Sequence, residues 1–251
     1  MKKIRLNRVI SRAGLSSLRG ADELIRSGRV TVNGRVVTEM GLTVDPKSEA
    51  ICVDGEELTA SRKKHYYLFF KPKGVVSTMI DPEGRSTVSD YTSGLSVRVF
   101  PSGRLDYDAD GLILLTNDGD AANLITHPKT KLPKTYQVKV SGSLSKKELE
   151  KFRRGIPVDG RQTLPAKIVP LKVTDKNSWY DVTLTEGRNR QIKKMFRYFK
   201  VRVLKIRRIS IGRLSLEGLS PGEVRKLTKE ETETLLKSLN LDKPRQRKTG
   251  R

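Results

Sequence analysis

The sequence predicts an α+β protein in two parts: a small helix-helix-hairpin module, followed by a larger domain built on a mixed, largely antiparallel sheet flanked by helices. Three observations lead there. Charge and hydropathy change character near residue 60, the apolar stretches beyond residue 65 carry strand spacing, and strands outnumber helices without alternating regularly with them. A chain of 251 residues suits two domains better than one. The expected boundaries are a module over 1–60, a linker over 61–64, a main domain over 65–238 and a basic tail over 239–251.

The elements follow in order. Ile4, Leu6, Val9, Ile10 and Ala13 have the spacing of an amphipathic helix, which Gly14 ends. Ser17 is placed to cap a second helix running through Ala21, Leu24 and Ile25 to Gly28, with Gly20 as its weak point. Asn33-Gly34 stands between Arg29–Val32 and Arg35–Val37, and its easy access to positive φ predicts a hairpin. Leu58 to Lys64 is polar and suits a linker. Tyr66–Phe70 then has the aromatic density of a buried strand. Further strands are expected at Gly111–Thr116, Thr135–Ser141, Ile168–Val173, Trp179–Leu184 and Val201–Ile206, and helices at Ser145–Arg154 and Gln191–Phe199. Beyond Leu241 five basic residues occur with nothing apolar, the composition of a disordered tail.

Composition narrows the partners. Lys and Arg number 51 against 28 Asp and Glu, a formal charge of +23, far beyond what solubility needs. A polyanion is the natural partner. No apolar run approaches the roughly 20 residues of a bilayer span and no secretion signal is visible, so nucleic acid is favoured over membrane and the cytoplasm is the expected compartment. Cys52 is the only cysteine, and His65 and His127 lie far apart, so neither a disulfide, a metal centre nor a bound cofactor is expected. A monomer is expected. The charge is segregated: residues 1–35 hold nine basic and two acidic residues, whereas 36–62 hold two basic and six acidic. The helical half of the module is therefore its expected phosphate-facing surface, against the plainer reading of a solvated face.

Inside this basic chain, Gly103-Arg104-Leu105-Asp106-Tyr107-Asp108-Ala109-Asp110-Gly111 places three carboxylates at alternate positions. Three readings compete. A calcium loop matches at Asp106, Asp108, Asp110, Gly111 and Ile113, but Asn117 stands where the bidentate Glu belongs and Leu112–Leu115 has the pattern of a strand. A structural acidic turn suits Asp108 or Asp110, since Asp side chains cap local amides. A single catalytic carboxylate gains weight from residues 186–213, which hold eleven basic residues and one acid. A carboxylate held against such a cation stays ionised and fixed in direction, as a nucleophile or a sugar-directed base requires. The competing reading of that basic stretch is an RNA-binding helix alone.

Two resemblances sharpen this. Ile4-Arg5-Leu6, Ala13-Gly14 and Gly28 to Gly34 resemble the S4-like RNA-binding module over about the first 60 residues, with Leu18 before Arg19 where that module usually carries a pair of arginines. Gly103-Arg104-Leu105-Asp106, Asp110-Gly111-Leu112 and Leu115 to Gly119 resemble the signature of the RsuA/RluB/RluE/RluF family of ribosomal RNA pseudouridine synthases. Lys71 to Thr78, Lys134-Thr135-Tyr136, Glu186 to Gln191 and Gly222 to Thr228 fall in that family's order. Trp179 to Leu184 leading into Glu186-Gly187-Arg188-Asn189-Arg190 looks most like the RluB branch, which acts on 23S ribosomal RNA. The resemblance implies a pseudouridine-synthase catalytic domain in which Asp106 is the catalytic residue, Tyr136 packs on the target uracil and Lys193 pairs with the carboxylate. It implies RNA contacts from Arg104, Arg188, Asn189 and Arg190, beside Arg5, Arg19 and Arg29 in the module. No cofactor or metal is implied, because moving uracil from N1 to C5 attachment is redox neutral and needs no outside reactant. Whether the carboxylate attacks C1′ or takes the 2′ proton stays open at this stage.

Overall fold

The computed structural model describes residues 3–58 and 63–241, so part of the expected linker and the expected tail beyond Leu241 lie outside the described residues. The chain divides into two compact units, one running to His65 with the short segments 96–98 and 117–119, the other comprising the rest.

The first unit contains β1 (Ile4–Arg5), α1 (Leu6–Arg12), α2 (Leu18–Arg26), β2 (Val30–Val32), β3 (Arg35–Val36), β4 (Thr43–Val44), β5 (Ile51–Val53) and β6 (Glu56–Glu57). The expected cap is present: the Ser17 hydroxyl accepts a hydrogen bond from the Gly20 amide at 3.0 Å. So is the hairpin, with Asn33 and Gly34 at φ of 50° and 77° joining β2 to β3. Ile4 departs from expectation. It does not open the first helix but pairs with Val44 in β1–β4, and the helix starts at Leu6. Helical spacing cannot reveal a strand partner some forty residues away. Leu6, Ile10, Ala21, Ile25, Val30 and Val53 close the core of this unit.

The second unit contains β7 (Tyr66–Lys71), β8 (Phe100–Ser102), β9 (Asp110–Thr116), α3 (Gly119–Thr126), β10 (Lys134–Ser141), α4 (Lys146–Arg154), β11 (Pro157–Val158), β12 (Arg161–Gln162), β13 (Lys167–Lys172), β14 (Asn177–Leu184), α5 (Gln191–Tyr198), β15 (Val203–Ile211), β16 (Leu214–Ser215), β17 (Val224–Lys226) and α6 (Lys229–Ser238). A mixed sheet runs β13-β14-β10-β15-β9-β7-β17, with β16 beside β15 and β8 beside β9. Its pairs are antiparallel except β15–β9.

The sheet has two unlike halves. β7 is buried throughout and β9 almost so, because leucines of α3 and α6 cover one of their faces in a core with Leu68, Phe70, Leu112 and Leu114. In β14, by contrast, buried Ser178, Tyr180, Val182 and Leu184 alternate with half-buried Asn177, Trp179, Asp181 and Thr183. That period of two marks a sheet with one covered face. The cover is α4 and α5, whose Phe152 and Phe196 rings lie 5.2 Å apart, with Phe196 5.8 Å from Tyr180. The expected strand at Val201–Ile206 begins two residues later and runs on to Ile211, after Lys200 takes a positive φ of 61°. The expected tail boundary at 239 is also corrected, since Leu239 is buried and Leu241 packs on the core beside α6.

Gly111 is required where β9 meets β15. Its φ is +116°, and a Cβ there would stand 2.4 Å from the Arg208 carbonyl oxygen. Gly111→Ala should therefore lower unfolding free energy by on the order of 3 kcal/mol in a denaturant titration; an unchanged midpoint would contradict this packing.

Candidate active site

The loop between β8 and β9 is held from below by the segment after β7. The Ser77 hydroxyl donates to the Leu105 carbonyl at 2.8 Å and accepts from the Leu105 amide at 3.0 Å. The Gly74 amide donates to the Tyr107 carbonyl at 2.8 Å, and the Ala109 amide to the Asp106 carbonyl at 3.1 Å. Leu105 and Ala109 are buried on either side of Asp106, which anchors the loop backbone there. Opposite, Arg190 takes a left-handed φ of 51° and starts α5. Buried Gln191 donates to Glu186 Oε1 at 2.7 Å and accepts from the Arg188 amide at 3.0 Å, fixing that turn. Ile192, Met195 and Phe196 face the core, which leaves Lys193 on the flank of α5 toward the loop.

Lys193 Nζ lies 3.2 Å from Asp106 Oδ2 and 2.6 and 2.7 Å from the two Asp108 oxygens. The lysine side chain is 14% exposed and that of Asp106 36%. Burial opposes ionisation of Asp108, but the hydrogen bond and charge of Lys193 outweigh it and hold this carboxyl below the usual range. Asp110 is gripped by Arg207, with Nε and Nη2 each 2.8 Å from a carboxylate oxygen. Asp108 keeps a local backbone hydrogen bond, as a turn carboxylate does, and both it and Asp110 are in addition bound by a cation from another element. β8 and β9 flank the loop where a calcium-binding hand requires helices, and no group of three metal-ligating side chains occurs among the described residues.

A cleft of about 90 Å³ opens here, lined among others by Arg104, Asp106, Tyr136, Leu184, Ile192 and Ile206. Tyr136 sits on β10 opposite Val182 and Arg208. Arg208 is 3% exposed, donates from Nε to the Leu112 carbonyl at 2.6 Å and lies 6.0 Å from the Tyr136 ring centroid. Lys71 is fully buried, and its ammonium donates to the Pro72 and Val75 carbonyls at 2.8 Å each. Burial pushes its pKa down to about 8, against the pull of Asp110, Asp108 and Asp106, with Arg208 adding to the fall. Lys134 is likewise lowered to about 8, by burial first and Arg208 second. Sequence reasoning assigned no role to Lys71 or Arg208; the visible signal was a lysine closing an otherwise apolar strand.

Of the expected site residues, Asp106, Tyr136, Lys193, Arg104, Arg188 and Arg190 line the same cleft. Asn189 is exposed in the turn before α5. Arg188 needs correction as a phosphate ligand: its guanidinium is engaged by Glu186 at 3.1 Å and by the carbonyls of Arg161 and Gln162. Arg29 is similarly occupied, in a two-pronged pair with Asp54 at 2.7 and 2.6 Å. Arg5 and Arg19 are exposed on the first unit.

Fold and cleft together define an enzyme domain joined to a small RNA-binding fold. Family models match as RNA pseudouridylate synthase over residues 65–198 and as S4 domain over residues 4–49. The chain belongs to the RNA pseudouridine synthase family. It is 44% identical over 234 residues to the ribosomal large subunit pseudouridine synthase B of Bacillus subtilis (strain 168), covering 92% of this chain and 95% of that one. An uncharacterized RNA pseudouridine synthase of Aquifex aeolicus (strain VF5) is 38% identical, with 96% and 97% covered. A crystal structure of a pseudouridylate synthase superposes with a TM-score of 0.65 at 30% identity, covering 92% of this chain and 99% of the other. No helix among the described residues is long and apolar enough to cross a membrane.

The buried Lys71 has a measurable consequence. Below pH 8 it is protonated folded and unfolded, and the cost of burying the charge is fully present. Above its folded pKa of about 8 the native state sheds the proton that the unfolded chain keeps to about 10.5. Its contribution to stability therefore rises with pH across that window. The unfolding free energy of the protein minus that of Lys71→Met should grow by on the order of 2 kcal/mol between pH 7.5 and 10. A difference independent of pH would contradict a charged, buried ammonium.

Proposed function

We propose that the chain converts a uridine of 23S ribosomal RNA to pseudouridine as a cytoplasmic monomer, with Asp106 as its catalytic carboxylate. The observation that carries this reading is the Asp106 carboxylate, 3.2 Å from the Lys193 ammonium and opening into the cleft that Tyr136 lines. The large-subunit target is supported by the identity with the Bacillus subtilis protein.

The chemistry needs few groups. The N1–C1′ bond breaks, uracil turns, C5 joins C1′, the C5 proton leaves and N1 gains one. Atoms and electrons balance without a co-reactant. The reaction opens when an ionised Asp106 oxygen acts on the ribose, at C1′ or at the 2′ proton, and both routes use the same atom. Lys193 pairs with that carboxylate at 3.2 Å and fixes its direction. The Tyr136 ring holds the extruded base by stacking, and its hydroxyl is the nearby group suited to relay the C5 proton. Leu184, Ile192 and Ile206 give the cleft apolar walls, so the detached base is retained and water kept out. Arg104 and Arg190 are exposed at the cleft and suit backbone phosphates, which positions RNA without selecting sequence. Arg5 and Arg19 add a second contact through the S4 domain.

Carbodiimide-stop primer extension across ribosomal RNA from a strain lacking this chain tests the reading. One stop should vanish from 23S RNA and return with the unmutated chain but not with Asp106→Asn, while that variant binds RNA within a few-fold of normal. Return of the stop with Asp106→Asn would end the assignment of the carboxylate, and a lost stop in 16S RNA would end that of the target. Salt offers a second check. Arg5→Gln combined with Arg19→Gln should reduce the slope of log affinity against log salt by about 1 to 2; an unchanged slope would remove these arginines from the RNA surface.

A further inference from the structure

β13, β14, β10 and β15 turn one face to α4, α5 and the catalytic cleft. The opposite face of the same four strands is open. There the register lines side chains up in rows. Lys172 faces Trp179, Trp179 faces Lys139, and Lys139 faces Lys205. The adjoining row is Val169, Asp181, Gln137 and Arg207. Lys172 and Lys205 are exposed, Trp179 and Lys139 half-buried.

Two features separate this row from a routine basic surface. Trp179 is the only tryptophan of the chain, set on the open sheet face with the Lys139 ammonium 5.9 Å from its ring centroid. And among the described residues no carboxylate pairs with Lys139, Lys172 or Lys205, although Arg207 in the next row is paired with Asp110. Asp181 stands beside the tryptophan with one carboxylate oxygen buried and unpartnered, next to the amide of Gln137. Strands about 4.8 Å apart thus present a flat ring, three cations that no carboxylate pairs and the Gln137 amide on one surface.

Those are the parts of a nucleotide site: an aromatic platform for the base, ammonium groups for the phosphates on either side and an amide for the base edge. We propose that this face binds an unpaired nucleotide of the RNA substrate, stacked on Trp179 and clamped by Lys139, Lys172 and Lys205. It faces away from the cleft, so it holds a different nucleotide from the one isomerised. The proposal rests on the RNA-modifying reading for the identity of the ligand and is independent of Asp106.

The lone tryptophan makes the test direct, because intrinsic emission reports this position alone. The full-length protein is titrated with decauridylate, and binding is followed in parallel by anisotropy of the fluorescein-labelled oligomer. Tryptophan emission should fall by about half over the concentration range in which anisotropy rises. Trp179→Ala should weaken binding about tenfold, Trp179→Phe less than about threefold, and the triple change of Lys139, Lys172 and Lys205 to Gln at least tenfold. Asp106→Asn should show the same quenching as the unmutated protein, which keeps a failure here distinct from a failure of the catalytic assignment. Binding by anisotropy with unaltered emission would overturn the proposal, as would Trp179→Ala binding with full affinity. If Trp179→Ala does not fold, the emission titration of the unmutated protein decides.

Discussion

One ammonium serves two carboxylates, and the active site is arranged around that fact. Lys193 comes from α5 and its acids from the loop between β8 and β9, so neither element alone creates the site. Two short bonds to Asp108 fix the lysine, and the longer contact to Asp106 leaves that carboxylate paired yet open toward the cleft. Asp108 thus positions the cation, and the cation positions Asp106. The lysine is largely covered by protein, where an ion pair is stronger than at the surface and where losing one partner costs more.

Further cations stand behind this pair. Lys71 and Arg208 are buried and Lys134 is half-buried, a costly concentration of positive charge in a domain interior. Asp106, Asp108 and Asp110 all act on Lys71 to raise its pKa. The acidic loop therefore offsets charge that the fold has buried, besides presenting the Asp106 carboxylate to the cleft. Arg207 and Asp110 join β15 to the start of β9 across the parallel pair, and Gly111 lets the two backbones meet. The loop that carries Asp106 is thus continuous with the packing of the sheet.

Much of this was legible in the sequence, for physical reasons. The hairpin at Asn33-Gly34 and the helix cap at Ser17 rest on local chemistry, and the strands of the main domain on alternation or unbroken apolar runs. Long-range pairings were not legible. Ile4 looked helical because its partner, Val44, lies forty residues on, and Leu239 looked like tail because the core its side chain joins is built largely from distant strands. For the site, the motif resemblance brought Asp106, Tyr136 and Lys193 together. It could not foresee that Lys193 favours Asp108, that Arg188 turns its donors to Glu186 and two backbone carbonyls, or that Arg29 pairs with Asp54 at the surface. Side-chain partners separated by many residues leave no trace in a local pattern.

The sharpest question is which of the two acids beside Lys193 performs chemistry. Tritium release from ribosomal RNA labelled at uracil C5 answers it when Asp106→Asn and Asp108→Asn are compared under single turnover. Release should disappear in the Asp106 variant and persist, slowed, in the Asp108 variant. Release from the former, or its complete loss in the latter alone, would contradict the account.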